Sequence, residues 1–176
     1  ITGSPYDTLK EVICGQGNGS LKDFGINYNE IQLKDGKINT DILSDNITDK
    51  TKLVFIGRSR GYEWRDALSI DDISFAIKQI RNVKENVCIM VDNCYGEFLD
   101  KIEPTEVGAD IIAGSLIKNP GGGIAPTGGY ICGKKEYIDL IANRLTAPSI
   151  GMEVGSYSYG YKDYYQGLFM APHVVA

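Results

Sequence analysis

A chain of 176 residues, 43% hydrophobic and 23% charged, has the composition of a globular protein rather than a disordered or fibrous one, and at that length folding buries about 70% of the unfolded surface. The net charge of −5 is mild and no basic stripe stands out, which excludes the electrostatic footprint of a nucleic-acid binder. Apolar runs such as 53–56 and 88–91 are too short to span a bilayer and no charged-then-apolar signal opens the chain, so it reads as soluble and cytoplasmic, without a membrane partner.

In chain order, Ser4 as N-cap, Pro5 at the first helical position and Asp7 three residues after the cap predict a short helix that buries Leu9, Val12 and Ile13. GQGNGS at 15–20 lacks a GKS or GKT ending and follows no strand, so it reads as a flexible connection. Residues 27–33 read as extended, closed by the turn residues Asp35 and Gly36. The apolar run 52–56 is a buried strand of the kind parallel sheets use. Ser69 and Asp72 form a capping-box pair ahead of Ile70, Ile73, Ile77 and Ile80, whose spacing marks one helix face. A second apolar strand, 87–91, ends at Asp92, and a third, 110–116, leads to Lys118. TGGYICGK then reads as a strand, and KEYIDLIANRL as a helix with Ile138, Ile141 and Leu145 inward. This alternation predicts an α/β fold, a mainly parallel sheet flanked by helices, with ligands bound beyond the carboxyl ends of the strands.

Cys14, Cys88, Cys94 and Cys132 show no CxxC spacing, so they read as reduced thiols, three of the four in the core, and no metal set emerges. Glu97, Glu103 and Glu106 read as surface or loop carboxylates, and His173 in APHVV as structural.

Two charges stand at strand ends. Asp92 and Lys118 should emerge on the same ligand-binding edge. Asp92 could simply cap a turn and Lys118 could be an exposed loop lysine. Holding a lysine neutral near pH 7 costs roughly 4 kcal/mol, a cost avoided when the amine condenses with an aldehyde, the arrangement pyridoxal phosphate enzymes use. Such an enzyme needs a carboxylate against the pyridinium nitrogen, a task that suits Asp92, and donors for the phosphate, of which Ser115 could be one. The glycines after Lys118 would let backbone approach the cofactor.

The segments PYDTLKEVI, SRGYEWR, VDNCYGEF, EPTEVGAD, AGSLIKNPGGGIAPTGGYI, RLTAPSIG and QGLFMAPHVV resemble those of the aluminium-resistance, methionine gamma-lyase-like family of fold-type I pyridoxal phosphate enzymes. The resemblance implies that residues 1–176 are the central portion of the cofactor-binding large domain, with an N-terminal segment and a small C-terminal domain outside it. It makes Lys118 the Schiff-base lysine, Asp92 the partner of the pyridinium nitrogen and Ser115 a phosphate ligand. Tyr95 stands where some relatives place a tyrosine on the cofactor's phenolic oxygen and others a phenylalanine. Arg58 or Arg60 would bind the carboxylate of an amino acid substrate. Carbon-sulfur lyase chemistry and a homo-oligomer, dimer or tetramer, are implied in the same way; SYSYGYKDYYQG at 156–167, with five tyrosines, is a candidate subunit contact. Transamination, decarboxylation and racemisation use the same parts. The alternative is a non-catalytic α/β module that has lost cofactor binding.

Overall fold

The computed structural model of the chain describes residues 7–153 and 160–176, arranged in two compact units, Ile1–Ile89 and Met90–Ala176. Ser4 and Pro5, and most of the first half of the tyrosine-rich stretch, lie outside the described residues.

In the first unit, helix α1 (Asp7–Cys14) forms as expected, but Val12 is 60% exposed and only Leu9 and Ile13 are half-buried. The extended segment after it ends in a two-residue hairpin: β1 (Leu33–Lys34) and β2 (Lys37–Ile38) pair antiparallel around Asp35 and Gly36, at φ 53° and 75°. Positive φ at both positions is the type I′ geometry that matches strand twist, and Asp-Gly is a sequence suited to it. A short helix α2 (Leu43–Asn46) leads to β3 (Leu53–Gly57), whose Val54, Phe55 and Ile56 are buried in succession.

Helix α3 (Ile70–Val83) is the best-specified element. The Asp72 N–H donates to Ser69 Oγ at 3.1 Å and the Ser69 N–H donates to Asp72 Oδ2 at 3.2 Å, a full capping box. Lys37 Nζ reaches the other oxygen of Asp72 at 2.9 Å. Burial raises the Asp72 pKa, but the hydrogen bonds from Lys37 and Ser69 outweigh it and hold the carboxyl below its ordinary value. Ile70, Ile73, Ala76, Ile77 and Ile80 form one buried stripe. At the far end Lys84 Nζ donates to the carbonyls of Thr48, Asp49 and Thr51 at 2.8–3.0 Å, tying the last turn to the loop before β3.

The unit boundary falls within β4 (Cys88–Asp92). Its first residue donates to the Lys52 carbonyl in the first unit, and its last residues pair parallel with β5 (Ile111–Ser115) in the second, Asp92 opposite Ala113. Strand β6 (Gly129–Gly133) runs antiparallel to β5, so the sheet, in the order β3-β4-β5-β6, is mixed rather than wholly parallel. The 13-residue connection from β5 to β6 carries a 3-10 turn and no crossover helix, and β6 returns beside β5 in the opposite direction. Helix α4 (Lys135–Leu145) follows; Ala142 is its buried residue, Ile138 and Ile141 are half-buried, and Leu145 is 67% exposed, contrary to the inward position expected for it. Helix α5 (Lys162–Val175) ends the chain. Among the described residues no helix is long and apolar enough to cross a membrane.

The capping box generates a direct expectation. Ser69→Ala should lower stability by about 1 kcal/mol, read as a shift in the urea midpoint with an unchanged slope.

Candidate functional site

The candidate site is built on the carboxyl ends of β4 and β5 in the second unit. The parallel ladder continues one residue past Asp92, where the Asn93 N–H donates to the Ala113 carbonyl at 2.8 Å. The chain then folds back, and the Cys94 N–H donates to Asp92 Oδ1 at 3.0 Å, fixing that carboxylate in an Asx-type turn. Beyond β5 the Lys118 N–H donates to the Ser115 carbonyl at 3.3 Å, and the Lys118 carbonyl accepts the Gly121 N–H at 3.0 Å, so Lys118 caps a 3-10 turn over Asn119–Gly121.

These turns bring the two charges together. The Cys94 thiol lies near enough to both the Asp92 carboxylate and the Lys118 amine to feel the charge of each. Burial above all, and then the Asp92 carboxylate, push the thiol up from its ordinary value, while Lys118 pulls the other way. Lys118 Nζ also stands over the face of Tyr95, 4.5 Å from the ring centroid, a cation-π contact. Tyr95 itself is held at φ 65°, an uncommon conformation for a residue with a side chain. Ser115 is half-buried at the tip of β5 on the same strand ends.

The glycines after Lys118 also let two stretches of backbone meet. A Cβ on Gly122 would stand 2.3 Å from the Gly167 carbonyl oxygen, and one on Gly167 would stand 2.2 Å from the Gly121 carbonyl oxygen. Helix α5 therefore packs backbone to backbone on the lysine turn, with Gly167 and Ala171 as its buried residues.

Arg58 and Arg60 belong to the first unit. Arg58 is 3% exposed and its Nε donates to the Leu68 carbonyl at 3.3 Å, whereas Arg60 is exposed. His173 is exposed on α5. Of the cysteines, Cys88 and Cys94 are buried, Cys14 is half-buried and Cys132 is exposed, so fewer thiols are core than the apolar context implied; these four form no disulfide.

A sequence profile described as methionine gamma-lyase matches residues 1–176, the whole chain. The chain belongs to the methionine gamma-lyase family. It is 51% identical to the uncharacterised protein YnbB of Bacillus subtilis over all of this chain and 43% of that protein. A solved structure of a carbon-sulfur lyase involved in aluminium resistance, from Clostridium novyi, superposes with a TM-score of 0.91 at 50% identity, covering 99% of this chain and 43% of that one. A candidate cystathionine beta-lyase involved in aluminium resistance, from Listeria monocytogenes, gives 0.94 at 52% identity over 99% of this chain and 44% of its own. The chain thus spans under half the length of these relatives. Cystathionine gamma-lyase from Lactobacillus plantarum, at 18% identity and a TM-score of 0.54, shares the fold alone, the fold-type I architecture.

In this family member the donor set of the second unit fits pyridoxal phosphate: a carboxylate oriented by a backbone N–H, an amine on the adjacent strand end, and a thiol near both. Asp92 and Lys118 would hold its ring nitrogen and its aldehyde.

Sequence reasoning missed Glu97. It is no surface carboxylate: the residue is 4% exposed, and Tyr130 Oη donates to its Oε1 at 2.7 Å. The hydroxyl passes over Gly114, the cross-strand partner of Tyr130, where a Cβ would stand 2.4 Å from Glu97 Oε1. A glycine in β5 facing a tyrosine in β6 was the available signal. Glu103 is a half-buried loop carboxylate, as expected, and accepts from Asn93 Nδ2 at 2.8 Å and from the Phe98 N–H at 3.2 Å.

Burial, opposed by the Tyr130 hydrogen bond and reinforced by Glu103 and Asp92, pushes the Glu97 carboxyl up from its ordinary value of 4.5. The folded state then binds the proton more tightly than the unfolded one, so the stability linked to Glu97 is full below pH 4.5 and is lost as pH rises through the raised folded value. Urea midpoints compared from about pH 4 to about pH 7 should descend less in Glu97→Gln than in the parent protein.

Proposed function

We propose that the protein is a pyridoxal phosphate-dependent lyase acting on an amino acid, with carbon-sulfur bond cleavage as its reaction. The observation that carries the reading is the placement of Asp92 and Lys118 beyond the carboxyl ends of two parallel strands, with Lys118 Nζ over the ring of Tyr95, three residues after Asp92. When bound, the cofactor supplies an electron sink that stabilises negative charge at the substrate α-carbon.

The chain's own residues do the rest. Asp92, with Oδ1 fixed by the Cys94 N–H, would hold the ring nitrogen and favour its protonated form. Lys118 would hold the cofactor through its Nζ, and the same atom, once free, would accept the α-proton of the substrate. Tyr95 lies against Nζ and keeps the amine directed along its face. Ser115, at the tip of β5, offers a hydroxyl to the phosphate. The carbon-sulfur specificity is supported by the kinship with the Clostridium novyi carbon-sulfur lyase at 50% identity. That relative is more than twice as long as the matched region, so substrate and partners belong to the proposal, including a homo-oligomer.

The test uses the intact protein mixed with pyridoxal phosphate. A new absorption band should form, borohydride should fix the cofactor on Lys118 as an acid-stable adduct found by peptide mass spectrometry, and Lys118→Ala should lose both. An unchanged band in Lys118→Ala would overturn the assignment, and no band in the parent protein would favour a non-catalytic module. Release of keto acid from sulfur amino acids, with none from others, tests the lyase specificity.

A further inference from the structure

Glu97 lies outside the set of residues just assigned, yet two of its groups reach the elements that carry Tyr95 and Lys118. Its carboxyl accepts from Tyr130 Oη at 2.7 Å through the gap left by Gly114, which anchors the segment after β4 onto β6. Its main-chain carbonyl accepts from Asn119 Nδ2 at 3.0 Å, and Asn119 is the residue next to Lys118. The anchored segment needs holding: Tyr95 and Phe98 sit on either side of Glu97 at φ 65° and 66°, left-handed conformations that persist only when the surroundings impose them. The other oxygen of Glu97 is buried without a hydrogen-bond partner among the described residues, so the Tyr130 bond is the carboxyl's side-chain anchor.

We infer that Glu97 is a positioning residue for Lys118: its carboxyl, pinned to Tyr130 across Gly114, sets the place of Tyr95, and its carbonyl holds Asn119, so ring and amine stay face to face. This rests on the reading that the Lys118 amine is the reactive group, but it concerns where that amine stands before any cofactor arrives.

The experiment therefore measures the amine itself. In the intact protein, treated with hydroxylamine to free the lysine, formaldehyde and borohydride would methylate amines, and peptide mass spectrometry would give the rate at Lys118 relative to exposed Lys135. Glu97→Ala and Asn119→Ala should each change the Lys118 rate by about fivefold, the scale of one lost hydrogen bond, with Lys135 unaffected. Their double variant should do no more than the stronger single one. Glu97→Gln, which keeps an oxygen for the Tyr130 hydroxyl, should stay near the parent rate, and Tyr130→Phe should follow Glu97→Ala. If Glu97→Ala does not fold, Asn119→Ala and Tyr130→Phe decide. Parent-like rates in Asn119→Ala and Tyr130→Phe overturn the inference, as does a Glu97→Gln rate as altered as that of Glu97→Ala. Protection of Lys118 by pyridoxal phosphate in the parent protein is scored separately; its failure would sink the proposed function and leave the positioning result standing.

Discussion

Parallel pairing of β4 with β5 is the constraint on which the second unit depends. With Asp92 set opposite Ala113, β4 leaves the sheet two residues before β5 ends at Ser115, and the turns that follow the two strands lie on the same edge. A carboxylate and an amine placed there by register need no long-range search to meet; two short turns suffice, one closed by the Cys94 N–H and the other by the Ser115 carbonyl. A slip of one residue would turn each side chain to the other face of the sheet and separate the charges.

Neutralising contacts adjoin that meeting. The ammonium has a π-face, a thiol and a carboxylate near it, and the neighbouring carboxyl of Glu97 is biased by burial toward its neutral form. A second ionised acid beside Asp92 would compete for the same cation. Burial thus weakens the charge of Glu97 in favour of Asp92, a difference set by environment and not by residue type.

Much of the framework was legible because short-range rules and burial agreed. The stripe Ile70, Ile73, Ile77 and Ile80 behind a Ser69 cap could only be a helix with one buried face, and the runs at 53–56 and 88–91 could only be interior strands. Asp92 and Lys118 were visible as charges at the ends of such runs. What could not be read depends on contacts between segments far apart in the chain. Val12 and Leu145 fit the helical period but lie at ends where no neighbour covers them. Glu97 looks like any loop acid until β6 brings Tyr130 over Gly114, 33 residues away from it in sequence. The antiparallel direction of β6 depends on how residues 116–128 turn the chain back, which strand periodicity does not encode.

The glycine contact between α5 and the lysine turn has a mechanical meaning. Side chains interleaved at a joint can rotate and absorb a small displacement, whereas main chain resting on main chain has no such slack. Gly121, Gly122 and Gly167 thus make a stiff coupling, through which a shift of α5 by a fraction of an ångström would be passed to the peptide groups flanking Lys118. Reach and angle of that amine are in this sense properties of the last helix of the chain as much as of the strand that carries it.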